Sequence, residues 1–437
     1  MYDRRATLRL FWPVLVEQTF AVTINFLATL MVRGVSEDAM AGVGLVGILN
    51  ILVMNAFSAV SAGVSVVVSQ CIGRQDPQTA GRVGSQSVTL VLYLSAGIGG
   101  AMALAAGPIL RLLFGSSEPG VLDAARIFFV HSCLSMPLLA LFTVLSGIAR
   151  STGNARLPMF CSVLSNIAYL SAGALLISRW GVHGAGFAMD FSRLVPAVFM
   201  GLFMLRGKSG IYLERLTPRL DRKILSPVLK IAVPSGVDSI VFNGGKLIVS
   251  VFMSGMGTPV IAANSIANNL SSISNLPGTA LQIMTVTTTG YAFGKGDARE
   301  ARRQIKRATL WGIGSLCVTS AILFAFLTPV LNLFDPSQET FRASREVMLL
   351  LAVTTPLFWP TSFITPQGLR ACNDAVFTMW VSVVSMIVLR VLGSWFLGVR
   401  LDMGLFGIWL AMVVDWVARS ALFVPRAAGQ RRYNRPS

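Results

Sequence analysis

The sequence predicts an all-α polytopic membrane protein, with twelve transmembrane helices arranged in two pseudo-symmetric six-helix lobes. Three observations predict it. The 437 residues are 54% hydrophobic and only 13% charged, with a mean hydropathy of +0.68, which leaves too little polar surface for a water-soluble fold. Apolar runs of about 20 residues, the length that crosses a bilayer as a helix, recur along the whole chain. The second half also repeats the first at a fixed spacing.

The apolar runs fall, in order, at roughly 8–32, 39–72, 84–114, 121–149, 157–179, 182–206, 228–254, 258–292, 308–334, 342–369, 376–399 and 402–424. The opening MYDRRATLRLFWPVLVEQTF is short and basic and leads into a span too long for a signal-peptide apolar region, so no cleaved leader is expected. The longest charged stretch, RGKSGIYLERLTPRLDRK (206–223), joins the sixth span to the seventh. The expected organisation is an N-terminal lobe at 1–205, a cytoplasmic linker at 206–227, a C-terminal lobe at 228–425 and a basic cytoplasmic tail at 426–437.

Charge sets the orientation. With both termini inside, 26 of the 36 Lys and Arg residues fall on the inner side and seven on the outer, with Arg193, Lys246 and Arg390 inside spans. Cytoplasmic loops carry such an excess, so both ends are expected in the cytoplasm and the protein in the inner membrane. The net charge of +17 is then a property of those loops, and no nucleic-acid partner is expected. The five cysteines form no CxxC pair and read as small buried hydrophobes. His131 and His183 lie far apart in the sequence, so a metal site is not expected.

The repeat is visible in GRQDPQTAGR (73–82) and GKGDAREARR (294–303). Gly73 matches Gly294, Asp76 matches Asp297 and Ala80 matches Ala301, each 221 residues apart; the same offset relates Pro13 to Pro234, Ala41 to Ala262 and Gly147 to Gly368. Near the ends of the halves, GVHGAGFA (181–188) resembles GLFGIWLA (404–411) at an offset of 223. Six spans is an even number, so both halves insert the same way, related by an axis along the membrane normal.

The same register pairs Glu17 with Asp238. An ionisable residue inside a membrane is costly and is functional by default, and these two recur at equivalent places. In both halves the acid lies one turn after a proline, which removes one helix hydrogen bond. A further polar residue, Asn25 or Lys246, follows eight positions later, a little over two helical turns. Each half therefore offers one polar stripe. Asn264, Asn268, Ser271 and Asn275 recur at helical spacing in the eighth span, and Asn50 stands opposite Ser271 in the repeat. The tenth span carries TTPLFWPTSFITP (354–366), where Pro356 and Pro360 are expected to bend the helix beside Trp359, as Pro13 and Pro234 are in their spans. Asp190 and Arg193 are three apart and Asp415 and Arg419 four apart, spacings that allow local ion pairs. Arg390 has no local partner.

At this point the chain resembles the MATE (multidrug and toxic compound extrusion) family, bacterial type. The resemblance covers nearly the whole chain and is carried by SAGVSVVVSQCIGRQDPQTAGR (61–82), IAVPSGVDSIVFNGGKLIVSVFMSGMGTPVIAANSIANN (231–269) and GIWLAMVVDWVARSALF (407–423). It implies a secondary active antiporter, exporting small amphipathic or cationic compounds in exchange for H⁺ or Na⁺ by alternating access of two lobes. The implied coupling acids are Glu17 and Asp238, either of which could take Na⁺, with no other metal. Asn25, Asn50, Lys246, Asn264, Asn268 and Trp359 are expected to line the cavity or touch substrate. Many family members carry an Asp in a first-span V-D-T-x-M-V pattern; here LATLMVR (27–33) places Ala28 there. The implied partners are a small-molecule substrate and membrane lipid, for a monomer without a cofactor. A flippase for a lipid-linked precursor, within the same superfamily, is the alternative, since basic residues inside spans suit a phosphate headgroup. No His/Glu metal motif, GxSxG or Cys/His nucleophile pair suggests an enzyme.

Overall fold

In a bilayer there is no water to satisfy backbone N–H and C=O groups, so each crossing closes its own hydrogen bonds as a helix. The computed structural model describes residues 4–33, 36–115, 117–206 and 218–429 and, within the first helix, the side chains of 7–23 and Met31. Every regular element among them is helical. The chain divides into two compact units, Met1–Val233 and Pro234–Ser437.

The first unit contains α1 (Arg4–Arg33), α2 (Glu37–Gly73), α3 (Pro77–Leu104), the short α4 (Ala106–Phe114), α5 (Pro119–Leu134), α6 (Met136–Ser151), α7 (Arg156–Leu205) and the start of α8 (Arg222–Ser254). As one helix α7 would run about 75 Å, far beyond a hydrocarbon core of about 30 Å. It is broken at Gly181, whose φ of 54° and ψ of −125° lie outside the helical region, so it makes two crossings. α5 and α6 form one crossing bent by 48°. α2 packs on α3, α5 and α6, while α7 packs on α1, α5 and α6. Where α2 meets α6, Gly147 lies against Ser61 and Ser65. Ser61 donates to the Thr143 carbonyl at 2.8 Å and Ser151 to the Ser65 carbonyl at 3.0 Å, the small-residue, hydroxyl-bonded packing that suits helices in lipid. The stretch just before α8 is tied to α3: Gln86 donates to the Arg219 carbonyl and accepts from the Asp221 N–H.

The second unit holds the rest of α8, then α9 (Thr258–Ser274), α10 (Leu276–Gly294), α11 (Ala298–Ala325), α12 (Leu327–Asn332), α13 (Gln338–Phe363), α14 (Thr365–Ala371), α15 (Ala375–Ser385) and α16 (Gly404–Ala428). Two π-helical stretches, Met386–Leu392 and Trp395–Arg400, continue α15. Among the described residues, eight helical segments are long and apolar enough to cross a membrane, and the bent α5–α6 pair makes nine. The second half of α7, α1 and the α9–α10 pair bring the crossings to twelve. Large apolar side chains such as Ile51, Val251, Ile322 and Val353 are exposed, as lipid requires.

The repeat extends to the turns. Asp76 caps α3 through the Thr79 N–H and Asp297 caps α11 through the Glu300 N–H, both at 2.9 Å. The residue before each cap, Gln75 or Gly296, takes a positive φ, of 61° and 80°. Gly153 and Asn373, after α6 and α14, do the same at 86° and 64°, as do Gly181 and Gly404 at 54° and 57°.

The prolines expected to bend helices do not interrupt them. α1 continues through Pro13 and α8 through Pro234 without a break in helix. α13 likewise passes Pro356 and Pro360, ending at Phe363 with Ile364 as its cap. A 48° bend at a helix break lies at Ser135, just before Pro137 at the start of α6. A proline there removes a hydrogen bond where two helix ends already meet. Of the cysteines, Cys71, Cys133 and Cys161 are buried as expected, but Cys317 is exposed.

Candidate functional site

Both repeat-related acids hold an arginine of their own unit. Arg150, at the end of α6, donates Nη1 to both oxygens of Glu17, at 2.9 and 3.2 Å. Arg370, at the end of α14, donates Nη2 to Asp238 Oδ2 at 2.5 Å and Nε to the Thr378 hydroxyl at 3.1 Å. All four side chains are largely shielded. The two pairs occupy the same place in each half: the partner arginines are 220 residues apart, the spacing of the positive-φ residues Gly153 and Asn373 that follow them. Sequence reasoning counted both arginines as inner-loop charges. The signal that finds them is the repeat itself, read one residue short of the 221 offset of Gly147 and Gly368.

Four further ionisable groups of the first unit meet across α5 and α7. Asp190 pairs with His131, Oδ2 to Nδ1 at 2.7 Å, and its buried Oδ1 lacks a hydrogen-bond partner. Arg193 donates to the Ser132 carbonyl at 3.1 Å and the Ser135 hydroxyl at 2.8 Å. The expected Asp190–Arg193 pair is therefore replaced by two contacts to α5. The His183 ring lies 5.8 Å from that of His131, which brings together two histidines far apart in sequence.

In the second unit the basic residues converge on one ring. Lys246 Nζ, Arg390 Cζ and Arg419 Cζ lie 5.9, 5.2 and 5.7 Å from the centroid of Phe242, within cation–π range. Asp415, fully buried, accepts from Arg419 Nε at 2.8 Å, the local pair expected from their spacing. Arg419 also donates to Ser385 and to the Ser382 carbonyl. Arg390, on the first π-helical stretch, reaches Asp415 only at 3.8 Å. Arg390 thus has a partner that the sequence did not suggest, on α16.

Lys246, Asn264, Asn268 and Arg390 line one cavity of about 60 Å³, with Ser250 and Trp409. Asn268 donates to the Asn264 carbonyl at 2.9 Å and to its side-chain oxygen at 3.1 Å. Three residues expected at a cavity are therefore together. Trp359 is placed elsewhere: it is buried against Gly278, its ring 5.1 Å from that of Phe363. Asn50 accepts a hydrogen bond from Ser132, tying α2 to α5. The side chains of Asn25 and Ala28 lie outside the described residues. Among the described residues no three His, Cys, Asp or Glu side chains cluster around a metal-sized site.

Known proteins share this fold. The family model MatE matches residues 13–173 and 234–396, one match in each half. The uncharacterized transporter YisQ of Bacillus subtilis is 26% identical over 425 residues, covering 95% of this chain and 92% of its own. A probable multidrug resistance protein NorM of Thermotoga maritima is 21% identical over 428 residues, covering 96% and 91%. Among solved structures, an outward-facing multidrug resistance MATE family transporter of the MOP superfamily matches with a TM-score of 0.89 at 18% identity, over 97% of this chain and 94% of that one.

Proposed function

This chain belongs to the MATE family of multi-pass membrane transporters, and on that premise we propose that it is a secondary active antiporter of the cell membrane. It exports small amphipathic or cationic compounds in exchange for H⁺ or Na⁺, by alternating access of its two lobes, as a monomer surrounded by lipid and with both termini in the cytoplasm. The single observation that carries the reading is the recurrence of Glu17–Arg150 as Asp238–Arg370. A carboxylate held by one arginine is a bistable element: an entering H⁺ or Na⁺ competes with the guanidinium for the same oxygens, and its differential affinity for the two states drives the exchange.

A flippase for a lipid-linked precursor is the second reading. The basic cluster around Phe242 supports it, because a phosphate headgroup needs such partners.

Proteoliposomes loaded with rhodamine 6G or carboxyfluorescein, with H⁺ and Na⁺ gradients imposed separately, test the reading. Export of at least one dye driven by one gradient supports it. Export of neither dye under either gradient contradicts it.

A further inference from the structure

We infer that the cavity between α8, α9, α15 and α16 of the second lobe binds the anionic group of the exported compound: a carboxylate, sulfonate or phosphate seated on Lys246 and Arg390. The inference rests on the transporter reading above and names its substrate class.

The first support is charge. Three cations, Lys246, Arg390 and Arg419, surround Phe242, and the acid that faces them is Asp415. Asp415 is already engaged by Arg419 at hydrogen-bond distance. Arg390 is 3.8 Å away from it, which is an ion-pair distance but no hydrogen bond. The neighbouring acid on α8, Asp238, one turn before Phe242, is engaged by Arg370. Among the described residues Lys246 thus pairs with no carboxylate, and Arg390 only shares Asp415 with Arg419.

The second support is an unsatisfied donor. Arg390 is buried, 8% exposed, and its Nη1 has no hydrogen-bond partner. A buried charged donor left unmade is expensive; the facing oxygen, Asp415 Oδ2 at 3.8 Å, likewise makes no hydrogen bond, and a guanidinium held this loosely beside a cavity is open to an oxyanion, which Arg binds bidentately. The π-helical stretch Met386–Leu392 carries this arginine. Such widened turns interrupt regular helix at functional sites.

The third support is the cavity's shape and lining. Lys246 is exposed, and Asn264 and Asn268 line the same cavity from α9. Ile408, Trp409 and Met412 supply apolar walls. At about 60 Å³ the space suits one small charged group with a few waters, not a whole drug-sized molecule. The rest of an amphipathic substrate lies beyond it.

The test compares two dyes of one ring type and opposite charge. Fluorescence polarisation measures carboxyfluorescein and rhodamine 6G binding to the detergent-purified full chain. Wild type is expected to bind carboxyfluorescein about tenfold or more tightly than rhodamine 6G, and Lys246→Gln to lose about tenfold on carboxyfluorescein alone. Lys246→Glu should reverse the preference. Lys230→Gln, an exposed charge on the same helix outside the cavity, should change neither affinity. Lys246 is chosen because its removal leaves the buried Arg390–Asp415–Arg419 cluster intact. Rhodamine 6G bound more tightly by wild type, no carboxyfluorescein binding, or equal effects of Lys246→Gln and Lys230→Gln would overturn the inference.

Repeating the measurement in nanodiscs of phosphatidylcholine, with and without phosphatidylglycerol, identifies the source of the anion. Displacement of carboxyfluorescein by phosphatidylglycerol assigns the site to a lipid headgroup; no displacement assigns it to a soluble anion. Gradient-driven export of rhodamine 6G without carboxyfluorescein binding defeats this inference and leaves the antiporter standing. Lys246-dependent binding without gradient-driven export does the reverse.

Discussion

Arg370 donates to Asp238 at 2.5 Å in the second lobe, and Arg150 holds Glu17 at 2.9 Å in the first. Each arginine ends a short helical segment that follows a break, at Ser135 before α6 and at Ile364 before α14. Each acid sits one turn after a helix-interior proline. The repeated unit is therefore a two-residue clasp between the first crossing of a lobe and the last turn of its fourth.

Each clasp also stabilises its own lobe. Glu17→Gln leaves Arg150 unpaired in a shielded position, and breaking such a pair from one side costs about 3 kcal/mol. A lower Tm in detergent is expected for Glu17→Gln and for Arg150→Gln, with much of the loss recovered in the double variant. Additive losses would show that the two residues act separately.

Asp415 joins Arg390 and Arg419, and its side chain is fully buried. Asp415→Asn removes the charge both arginines face and should cost about 3–5 kcal/mol. Asp374 pairs with Arg426 at 2.8 Å near the end of α16, where the pair is partly exposed. Asp374→Asn should cost less, roughly 1–2 kcal/mol, since the pair is bidentate but less buried than Asp415. Equal losses of Tm in the two variants would contradict this ranking.

Gly278 on α10 faces the Trp359 ring so closely that an added Cβ would overlap it. Gly278→Ala should destabilise the second lobe by about 1–3 kcal/mol through overpacking. Trp359→Leu in the same chain should relieve most of that. A Tm unchanged by Gly278→Ala would mean that the ring moves freely.

Asp76 caps α3, and its carboxyl is held below the ordinary value of 3.8, first by the Thr79 hydroxyl and then by the Thr79 N–H. A depressed folded value means stabilisation that is complete above the unfolded pKa and lost as pH falls through the folded one. Hydrogen exchange in the first turn of α3, corrected for intrinsic rates, should lose protection below about pH 4 in wild type. Asp76→Asn keeps a cap that does not titrate and should show no such loss. The same acid response in both would refute the cap's role.

Much of this was legible in the sequence because a bilayer leaves few options. Apolar length alone located the crossings, and the 221 spacing exposed the repeat and paired Glu17 with Asp238. The partners of those acids were hidden. Arg150 and Arg370 sit beside segments read as inner loops, where charge counting absorbs them, and a one-residue shift after Gly147 and Gly368 masks their equivalence. The contacts of His131 with Asp190 and of Arg390 with Asp415 join residues 59 and 25 positions apart on different helices. Helical spacing within a span cannot reveal them. The bend at Ser135 was missed because 121–149 reads as one unbroken apolar run, and apolar length does not register Pro137 inside it.

The most direct measurement is gradient-driven export from proteoliposomes containing wild type, Glu17→Gln or Asp238→Asn, with H⁺ and Na⁺ gradients applied separately and folding checked for each. The expected result is that one gradient drives export by wild type and that at least one variant, folded normally, loses that dependence. Wild-type export with unchanged gradient dependence in both variants would show that the clasps are purely structural.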